Sequence, residues 1–306
     1  MHPLSASFTS PPCTPDLQRR LWLQKGLSHA VGVSALGIGL LSTSAAQAEL
    51  ADLKEKGSLK IALYKNNLPF SDANREGMTG VDAALAKELA KRLQLGVQWL
   101  PFEAGENMND DLRNMVWRGH YLGYGPADVM LQAPIDKYLI EKTNQVEFLA
   151  PYYRHELGWL ASERISNADL QSMSLDGLKL AAEAGTAAAS ALLGYGGGRY
   201  RDAVKIENDG IVAAKGVTNA QYPLAYVTRA QAESAIAMLP TEQRSAFRFV
   251  VQALPGTPPT GWVVGLAIRA GQPQLSQALQ AAMRGVREDG TLARIYREHG
   301  LQLTTP

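Results

Sequence analysis

The sequence predicts an α/β protein with two lobes. Residues 59–64 alternate apolar and polar side chains, which is typical of a buried strand, and residues 81–93 carry the spacing of an amphipathic helix. A polar loop at 66–71 lies between them, so a strand, a loop and a helix follow one another as in the first half of a βαβ unit. The same order of strand, loop and helix begins again at residue 156. Two such blocks, joined by extended segments, predict two α/β lobes.

The helix at 81–93 is the best defined element of the first block. Apolar side chains recur at helical spacing from Val81 onward, with charged side chains on the opposite face. Thr79, three residues before Asp82, predicts a capping box that opens this helix, and Asp82 is expected to be a solvated helix charge. The other elements of this block are a helix at 108–118, with Asp110 and Asp111 also solvated, and strands at 97–100, 128–131 and 146–149.

The second block repeats the order of strand and helix. A strand at 178–182 leads into an Ala-rich helix at 187–193. Four glycines around Tyr195 predict a mobile loop at 194–198. The alternation of strands and helices continues through segments at 211–215, 224–227, 230–239 and 247–251. The remaining predicted elements are strands at 156–161 and 262–268 and helices at 275–286 and 291–299.

Residues 1–48 are predicted to be an export signal. Basic residues precede an apolar stretch at 27–41, and a small-x-small cleavage site ends at Ala48. The apolar stretch is too short for a membrane span, which needs about 20 residues. Arg19 and Arg20 stand together, so Sec and twin-arginine export are both compatible with the sequence. We expect cleavage near Ala48 and a mature protein in the periplasm without a membrane span.

The composition argues against several kinds of function. The single cysteine, Cys13, lies in the export signal, so the mature chain is expected to lack disulfides and thiol chemistry. Lys and Arg (30) nearly balance Asp and Glu (29), which argues against nucleic acid as a partner. His120, His155 and His299 lack the spacing of metal ligands and are interpreted as surface or core residues. With no catalytic motif in a suitable context, we expect no cofactor, no metal and no enzymatic activity.

The order of several motifs resembles the extracellular solute-binding proteins of family 3, which are mostly amino-acid receptors of ABC transporters. The resemblance is carried by residues 59–71, 148–152, 175–177, 184–186, 265–269 and, most specifically, 286–296. It implies the two-lobe type II periplasmic-binding-protein fold. Lobe 1 would comprise residues 49–153 and 261–306, and lobe 2 residues 154–260. The chain would cross between the lobes twice, near Arg154 and Thr260.

The resemblance also implies a ligand cleft between the lobes. The loop at 66–71 would form one lip of this cleft, although a plain surface connection is the alternative interpretation. A small-molecule ligand would contact aromatic and polar side chains there. The residues expected to line the cleft are Asn66, Asn67, Phe70, Gln132, Asp136, Tyr152, Gly185, Thr186 and Tyr226.

Two departures from the family pattern argue against an α-amino acid as the ligand. The family's carboxylate-binding Arg is replaced by Lys142, with Lys137 as the other candidate cation, and a Lys cannot form the planar guanidinium fork. Both lysines are interpreted first as solvated surface charges. The strand at 224–227 also lacks the family's carboxylate for an ammonium group. Gly185 and Thr186, at a helix N-terminus that favours anions, are retained.

Within the family, residues 66–71 and 151–154 look most like the binding proteins encoded beside PQQ-dependent alcohol dehydrogenases, the methanol-oxidation J proteins of the MxaJ or XoxJ type. The resemblance therefore implies a non-catalytic periplasmic protein whose partner is a quinoprotein dehydrogenase. The alternative is an ABC-transporter substrate-binding protein for a polar small solute, with a permease as partner. An enzyme on this scaffold, as in the periplasmic dehydratases that resemble the family, would need a positioned acid or base in the cleft, and the sequence identifies none.

Overall fold

The computed structural model describes residues 50–172 and 175–306. The predicted export signal and Cys13 lie outside this part of the chain. Each of the two predicted blocks forms a five-stranded sheet. Within the described residues, no helix combines the length and the apolar character needed to cross a membrane.

The first sheet has the strand order β5-β1-β6-β13-β7. β1 pairs parallel with β5 and β6, whereas β13 runs antiparallel between β6 and β7. The chain therefore leaves this sheet and returns to it late in the sequence. The strands are β1 (Ser58–Tyr64), β5 (Gly96–Phe102), β6 (Val129–Pro134), β7 (Val146–His155) and β13 (Trp262–Arg269).

Helices cover the first sheet, and their apolar stripes form its core. Leu275, Leu279 and Met283 of the last long helix share one buried cluster with Leu85 and Leu89 of the first predicted helix. This packing is what the helical spacing predicts. The helices are α1 (described over residues 50–56), α2 (Val81–Arg92), α3 (Met108–Leu112) continued by π-helical Arg113–Trp117, α4 (Lys137–Lys142), α9 (Pro273–Glu288) and α10 (Thr291–Glu298).

The predicted capping box at the start of α2 is wrong. Gly80 is the N-cap residue, with φ 101°, and a Cβ there would lie 2.4 Å from the carbonyl oxygen of Phe70. The hydroxyl of Thr79 donates to the carbonyl oxygen of Asp72 at 3.4 Å instead of capping the helix. The chain before α2 is folded tightly against it as three short strands, β2 (Asn66–Asn67), β3 (Ser71–Asn74) and β4 (Gly77–Thr79).

The second sheet has the order β10-β9-β11-β8-β12. Its parallel strands β9, β10 and β11 end beside the N-termini of the helices that follow them in the chain. The elements are β8 (Leu157–Ser162), β9 (Leu180–Glu183), β10 (Val204–Glu207), β11 (Leu224–Thr228), β12 (Phe247–Val251), α5 (Asn167–Ser172), α6 (Ala187–Gly198), α7 (Gly210–Thr218), α8 (Arg229–Ala237), and 3-10 turns at Arg201–Ala203 and Thr241–Ala246.

The Gly-rich segment at 194–198 has the backbone of a loop, as predicted, although it falls within the range assigned to α6. Tyr195, Gly196 and Gly197 leave helical backbone angles. The two glycines have φ of 60° and 70°, a left-handed region that other residues rarely adopt. The regular turns of α6 therefore end before Tyr195.

Two connections join the sheets. β7 passes through Glu156 into β8, and residues 252–261 lead from β12 back to β13. The connections touch at Gly261, where φ is 70° and a Cβ would lie 1.7 Å from the carbonyl oxygen of His155. The guanidinium of Arg154 also donates to the carbonyl oxygen of Thr260 at 3.3 Å. The two sheets thus meet along a narrow double crossing that leaves a cleft between them.

Candidate functional site

The cleft contains two adjoining cavities. The first has a volume of about 460 Å³ and is lined by residues around the first sheet, including Tyr64, Asn66, Phe102, Glu103, Gln132 and Val264. The second has a volume of about 430 Å³ and is lined from both sheets, including Phe70, Leu157, Glu183, Thr186, Tyr226, Gln231 and Pro258. Asn67, His155 and Trp262 line both cavities, so these three side chains form the boundary between them.

The boundary is built from stacked rings at the crossing of the strands. His155 is the last residue of β7 and pairs with Trp262, the first residue of β13. Their ring centroids lie 4.7 Å apart with the planes 11° from parallel, and the ring of Phe70 meets His155 edge-on at 4.9 Å. Aromatic pairs in these geometries contribute about 0.5–1.5 kcal/mol beyond their buried area. His155 and Trp262 therefore lie at the base of the cleft and also belong to the two strands at which the chain crosses between the sheets.

A buried carboxylate lies beneath the first cavity. The Oδ1 atom of Asp82 accepts a hydrogen bond of 2.8 Å from the hydroxyl of Tyr152, and Oδ2 accepts one of 2.7 Å from the amide of Gln132. Burial raises the pKa of Asp82 to about 7, against the opposing effect of these two hydrogen bonds. The expectation of a solvated helix charge is wrong for Asp82, because its partners lie 50 and 70 residues further along the chain.

Asp111 also differs from its prediction as a solvated charge. It is only 4% exposed, and its carboxylate accepts hydrogen bonds of 2.7 Å from the hydroxyl of Tyr64 and from the backbone amide of Gly105. Burial raises the pKa of Asp111, whereas these two hydrogen bonds oppose the shift. Its hydroxyl partner, Tyr64, lines the first cavity.

The hydrogen bonds of Asp82 and Gln132 determine which ring nitrogen of His155 carries the proton. Since the Gln132 amide nitrogen donates to Asp82, its oxygen Oε1 faces Nε2 of His155 at 2.9 Å. Nε2 must then carry the hydrogen, and Nδ1 is a bare acceptor. Burial lowers the pKa of His155 to about 3, so the ring is neutral at physiological pH. Nδ1 has no hydrogen-bond partner in the part of the chain that the structure describes.

The second cavity carries a carboxylate at its lobe 2 side. Glu183 ends β9, and its Oε2 accepts a hydrogen bond of 2.7 Å from the side-chain amide of Gln231 on α8. Burial raises the pKa of Glu183, hydrogen bonds from Gln231 and Gly210 oppose that shift, and the charge of Asp209 adds to it. Thr186 caps α6 nearby by accepting from the amide of Ala189 at 3.1 Å.

The structure places six of the nine predicted cleft residues in the lining of a cavity. Asn66, Asn67 and Gln132 line the first cavity. Asn67, Phe70, Thr186 and Tyr226 line the second. A role for any of them in binding a ligand remains a prediction.

The other three predicted residues lie elsewhere. Tyr152 is fully buried and is outside both linings, because its hydroxyl is engaged with Asp82. Asp136 caps the N-terminus of α4 by accepting from the amide of Leu139 at 2.8 Å. Gly185 lies in the turn before Thr186, with φ 72°, and is also outside both linings.

The two candidate lysines lie on the outer surface of α4. Lys137 is 91% exposed in its side chain and lies 3.8 Å from Glu141. The ammonium of Lys142 lies 5.7 Å from the ring centre of Tyr138, which is itself exposed. Neither lysine lines a cavity of the cleft. They occupy the surface positions that the sequence interpretation favoured.

Sequence reasoning missed His155, Glu183, Gln231 and Trp262. Glu183 could have been found, because it stands at the carboxyl end of a parallel strand, directly before Ala184, Gly185 and Thr186, and ligands bind at such strand ends. It also supplies a carboxylate in the cleft, whereas the sequence identified no acid or base there. His155 and Trp262 belong to different strands whose pairing is not visible in the sequence.

Comparison with known proteins supports the fold. No family model and no curated protein sequence matches the chain. Among solved structures, an ancestral cationic amino acid solute-binding protein matches with a TM-score of 0.62 and 23% identity, covering 82% of this chain and 99% of that one.

Two natural proteins match in a similar way. An amino acid ABC transporter substrate-binding protein from Streptococcus pneumoniae, bound to L-arginine, matches with a TM-score of 0.54 and 18% identity over 84% of this chain and 99% of that one. The second substrate-binding domain of GlnP from Lactococcus lactis, in its open conformation, matches with a TM-score of 0.54 and 20% identity over 81% and 96%. The predicted α/β fold with two sheet-containing lobes, that of periplasmic binding proteins, is confirmed.

Proposed function

We propose that this protein is a periplasmic substrate-binding protein of an ABC transporter and binds a polar small solute between its lobes. The observation that carries the proposal is the cleft, whose two cavities meet at Asn67, His155 and Trp262, directly on the double crossing of the chain. A solute in that position contacts both lobes and can stabilise their closure. The folds of the arginine-bound and transporter-domain neighbours support the same role.

The charges in the cleft argue for a solute without a free α-amino acid group. In the described linings no Arg is present, and Lys65, the one Lys there, lies 3.6 Å from Glu103. A buried carboxylate of an amino acid needs a strong partner, since leaving an ion unpaired costs several kcal/mol. At the strand that would supply the ammonium partner, Tyr226 stands in the lining instead of a carboxylate. The solute therefore differs in charge from a zwitterion.

A thermal-shift screen of amino acids, sugars, amines and dicarboxylates tests this function. At 100 times its Kd, a true ligand adds about 2.7 kcal/mol of stability, which is easily measured. Asn67→Ala, at a residue that lines both cavities, is expected to abolish the shift, whereas Asn144→Ala, in an exposed turn, should keep it. Failure of every solute would contradict the function. A tight, stoichiometric complex with a common amino acid would contradict the argument from charge.

A second candidate function is association with a PQQ-dependent dehydrogenase, for which one exposed loop offers a contact surface. In the loop at 119–126, Tyr121 is 88% exposed and Leu122 is 68% exposed. The ring of His120 lies 4.3 Å from the rings of both Tyr121 and Tyr124. Exposed clusters of aromatic and apolar side chains are typical of protein contacts.

Native mass spectrometry with a periplasmic PQQ-dependent dehydrogenase from the same organism tests the second candidate. A specific complex that Tyr121→Ser removes would support it. Met238→Ser, at another exposed apolar side chain on the second lobe, is the matched control and should leave the complex intact. If the two proteins are mixed at micromolar concentration and only the uncomplexed proteins are detected, this candidate is ruled out.

A further inference from the structure

The carboxylate of Glu183 has neutral partners only. It accepts from the amide of Gln231 at 2.7 Å and from the backbone amide of Gly210. Over residues 50–172 and 175–306, Glu183 belongs to no ion pair. The nearby charge, on Asp209, has the same sign. Partly buried carboxylates are ordinarily paired with a cation. Because the described residues supply Glu183 with none, its negative charge is not balanced by the protein.

The rest of the second cavity adds no positive charge. Its described lining contains neither Lys nor Arg, and His155 is neutral because burial lowers its pKa and no described group accepts a proton from Nδ1. The other lining residues are mainly apolar or aromatic, among them Leu157, Trp262 and Pro258. A cavity with one carboxylate and apolar walls has a net negative potential, and the low dielectric of such walls strengthens it.

Aromatic side chains share this cavity with the carboxylate. Phe70, Tyr226 and Trp262 line the same volume of about 430 Å³. The faces of aromatic rings attract ammonium groups, Trp most strongly, and the effect is larger where water is excluded. Tyr226 is fully buried and its hydroxyl donates to the carbonyl oxygen of Gln252 at 2.9 Å, so this residue is part of the apolar wall and offers no free polar atom.

We propose that the second cavity binds an organic cation, a primary or quaternary ammonium compound without a carboxylate, whose charged group pairs with Glu183 while its apolar part lies against Trp262 and Phe70. This inference rests on the proposed solute-binding function and names its substrate class. It does not extend to zwitterionic amino acids, because the cavity offers no cationic side chain for their carboxylate.

A charge series of one molecular shape tests the inference on the full mature chain. Tyramine is cationic, tyrosine zwitterionic, 3-(4-hydroxyphenyl)propionate anionic and tyrosol neutral, and all four have nearly the same size. Choline with its neutral analogue 3,3-dimethyl-1-butanol forms a second series, and putrescine and agmatine extend the cations. Affinities are measured by isothermal titration, and the wider solute screen runs beside them. At least one cation is expected to bind, and its neutral or anionic analogue to bind at least tenfold more weakly.

Variants locate the contact. Glu183→Gln keeps the size of the side chain and its ability to accept from Gln231, so it is expected to fold and to bind the cation at least tenfold more weakly. Glu183→Asp keeps the charge and is expected to retain part of the affinity. Glu242→Gln, at an exposed position outside the cavity, is the matched control and should bind like the unmodified protein.

The outcomes separate this inference from the function on which it rests. If a cation binds equally well to the Glu183→Gln variant, or if an anion, a zwitterion or a sugar binds and no cation does, the inference is overturned and the solute-binding function stands. If no solute of either panel binds, both are overturned. Charge-dependent binding that is lost in Glu183→Gln and kept in Glu242→Gln supports both.

Discussion

The hydroxyl of Tyr152 lies 2.8 Å from the carboxylate of Asp82, and neither side chain is exposed to solvent. Tyr152 belongs to β7 and Asp82 to the first turn of α2, so this contact ties the helix to the strand that leads to the other lobe. Burial also raises the pKa of Tyr152 well above its ordinary value, which keeps the hydroxyl protonated as the donor. The pair therefore links the stability of lobe 1 to the protonation of this carboxyl group.

The first prediction concerns the titration of Asp82. Its pKa is raised in the folded state from 3.8 to about 7, so the folded protein keeps a proton that the unfolded chain releases between these values. The stability that this proton contributes is complete below about pH 4 and is lost as the pH rises to about 7. Relative to Asp82→Asn, the free energy of unfolding should fall by about 3 kcal/mol between about pH 5 and pH 8.

Urea denaturation of both proteins at several pH values measures this difference. Asp82→Asn serves as the reference because other buried carboxyls, such as Asp111, titrate in both proteins and cancel. Parallel stability curves for the two proteins would show that Asp82 has an ordinary pKa in the folded state.

The second prediction concerns the double crossing at Gly261. A Cβ at this position would overlap the carbonyl oxygen of His155, whereas a Cβ at Gly256 would meet no atom within 4 Å. Both glycines have a positive φ, 70° and 89°, so Gly256→Ala is a control for backbone strain alone. Gly256→Ala is expected to cost about 1–2 kcal/mol. Gly261→Ala is expected to cost at least about 4 kcal/mol or to prevent folding, because the backbone must move.

The two variants are compared by urea denaturation and by far-UV circular dichroism. Equal losses of stability would mean that the crossing can open without cost and that the approach of Gly261 to His155 is not a constraint.

The third prediction concerns Arg229, which contacts Glu156 in the connection from β7 to β8. Its guanidinium lies 2.5 Å from Glu156 and 3.6 Å from Glu233, and these side chains are only about one-fifth exposed. Glu233 also accepts a hydrogen bond of 2.8 Å from the backbone amide of Gln302. Arg229→Met keeps the apolar stem but leaves two half-buried carboxylates unpaired, so we expect a loss of about 2–3 kcal/mol.

Arg294→Met is the matched control. Arg294 lies 2.9 Å from Glu298 on the same helix, and both side chains are more than half exposed, so its removal is expected to leave stability nearly unchanged. Thermal and urea denaturation at low salt compare the two. Similar small losses would show that the cluster around Arg229 is solvated and energetically unimportant.

The fourth prediction concerns Tyr226, which the sequence placed in the ligand cleft. Its hydroxyl donates to the carbonyl oxygen of Gln252 at 2.9 Å and accepts from the amide of Leu254 at 3.1 Å. It thus holds the connection that returns to lobe 1. Tyr226→Phe is expected to lower stability by about 1–2 kcal/mol. Affinity for a cation in the second cavity should change less than threefold, since the aromatic ring remains.

Denaturation and titration of the same Tyr226→Phe protein measure the two effects separately. A large loss of affinity without a loss of stability would instead assign the hydroxyl to the ligand.

The sequence by itself determined the two-lobe class and the longer regular elements, but not the short strands β2, β3, β4 and β10 or the short helices α4 and α5. The spacing of Leu275, Leu279 and Met283 was enough to define α9, because a helix that packs on one side must bury one face. The first strand, β1, and the polar segment after it were defined in the same way. Asn67 and Phe70 could be expected at the cleft, since they follow the carboxyl end of a parallel strand.

Only the tertiary structure decided which charges are buried and how the cleft residues are partnered. Asp82 has the sequence context of an ordinary surface charge, and Glu183 that of an ordinary strand end. Their environments are set by Tyr152 and Gln231, residues far away in the chain that folding brings within hydrogen-bond distance. Helical and strand periodicity reports which face of an element is buried, but burial of a single polar group depends on long-range partners, and those exist only in the folded chain.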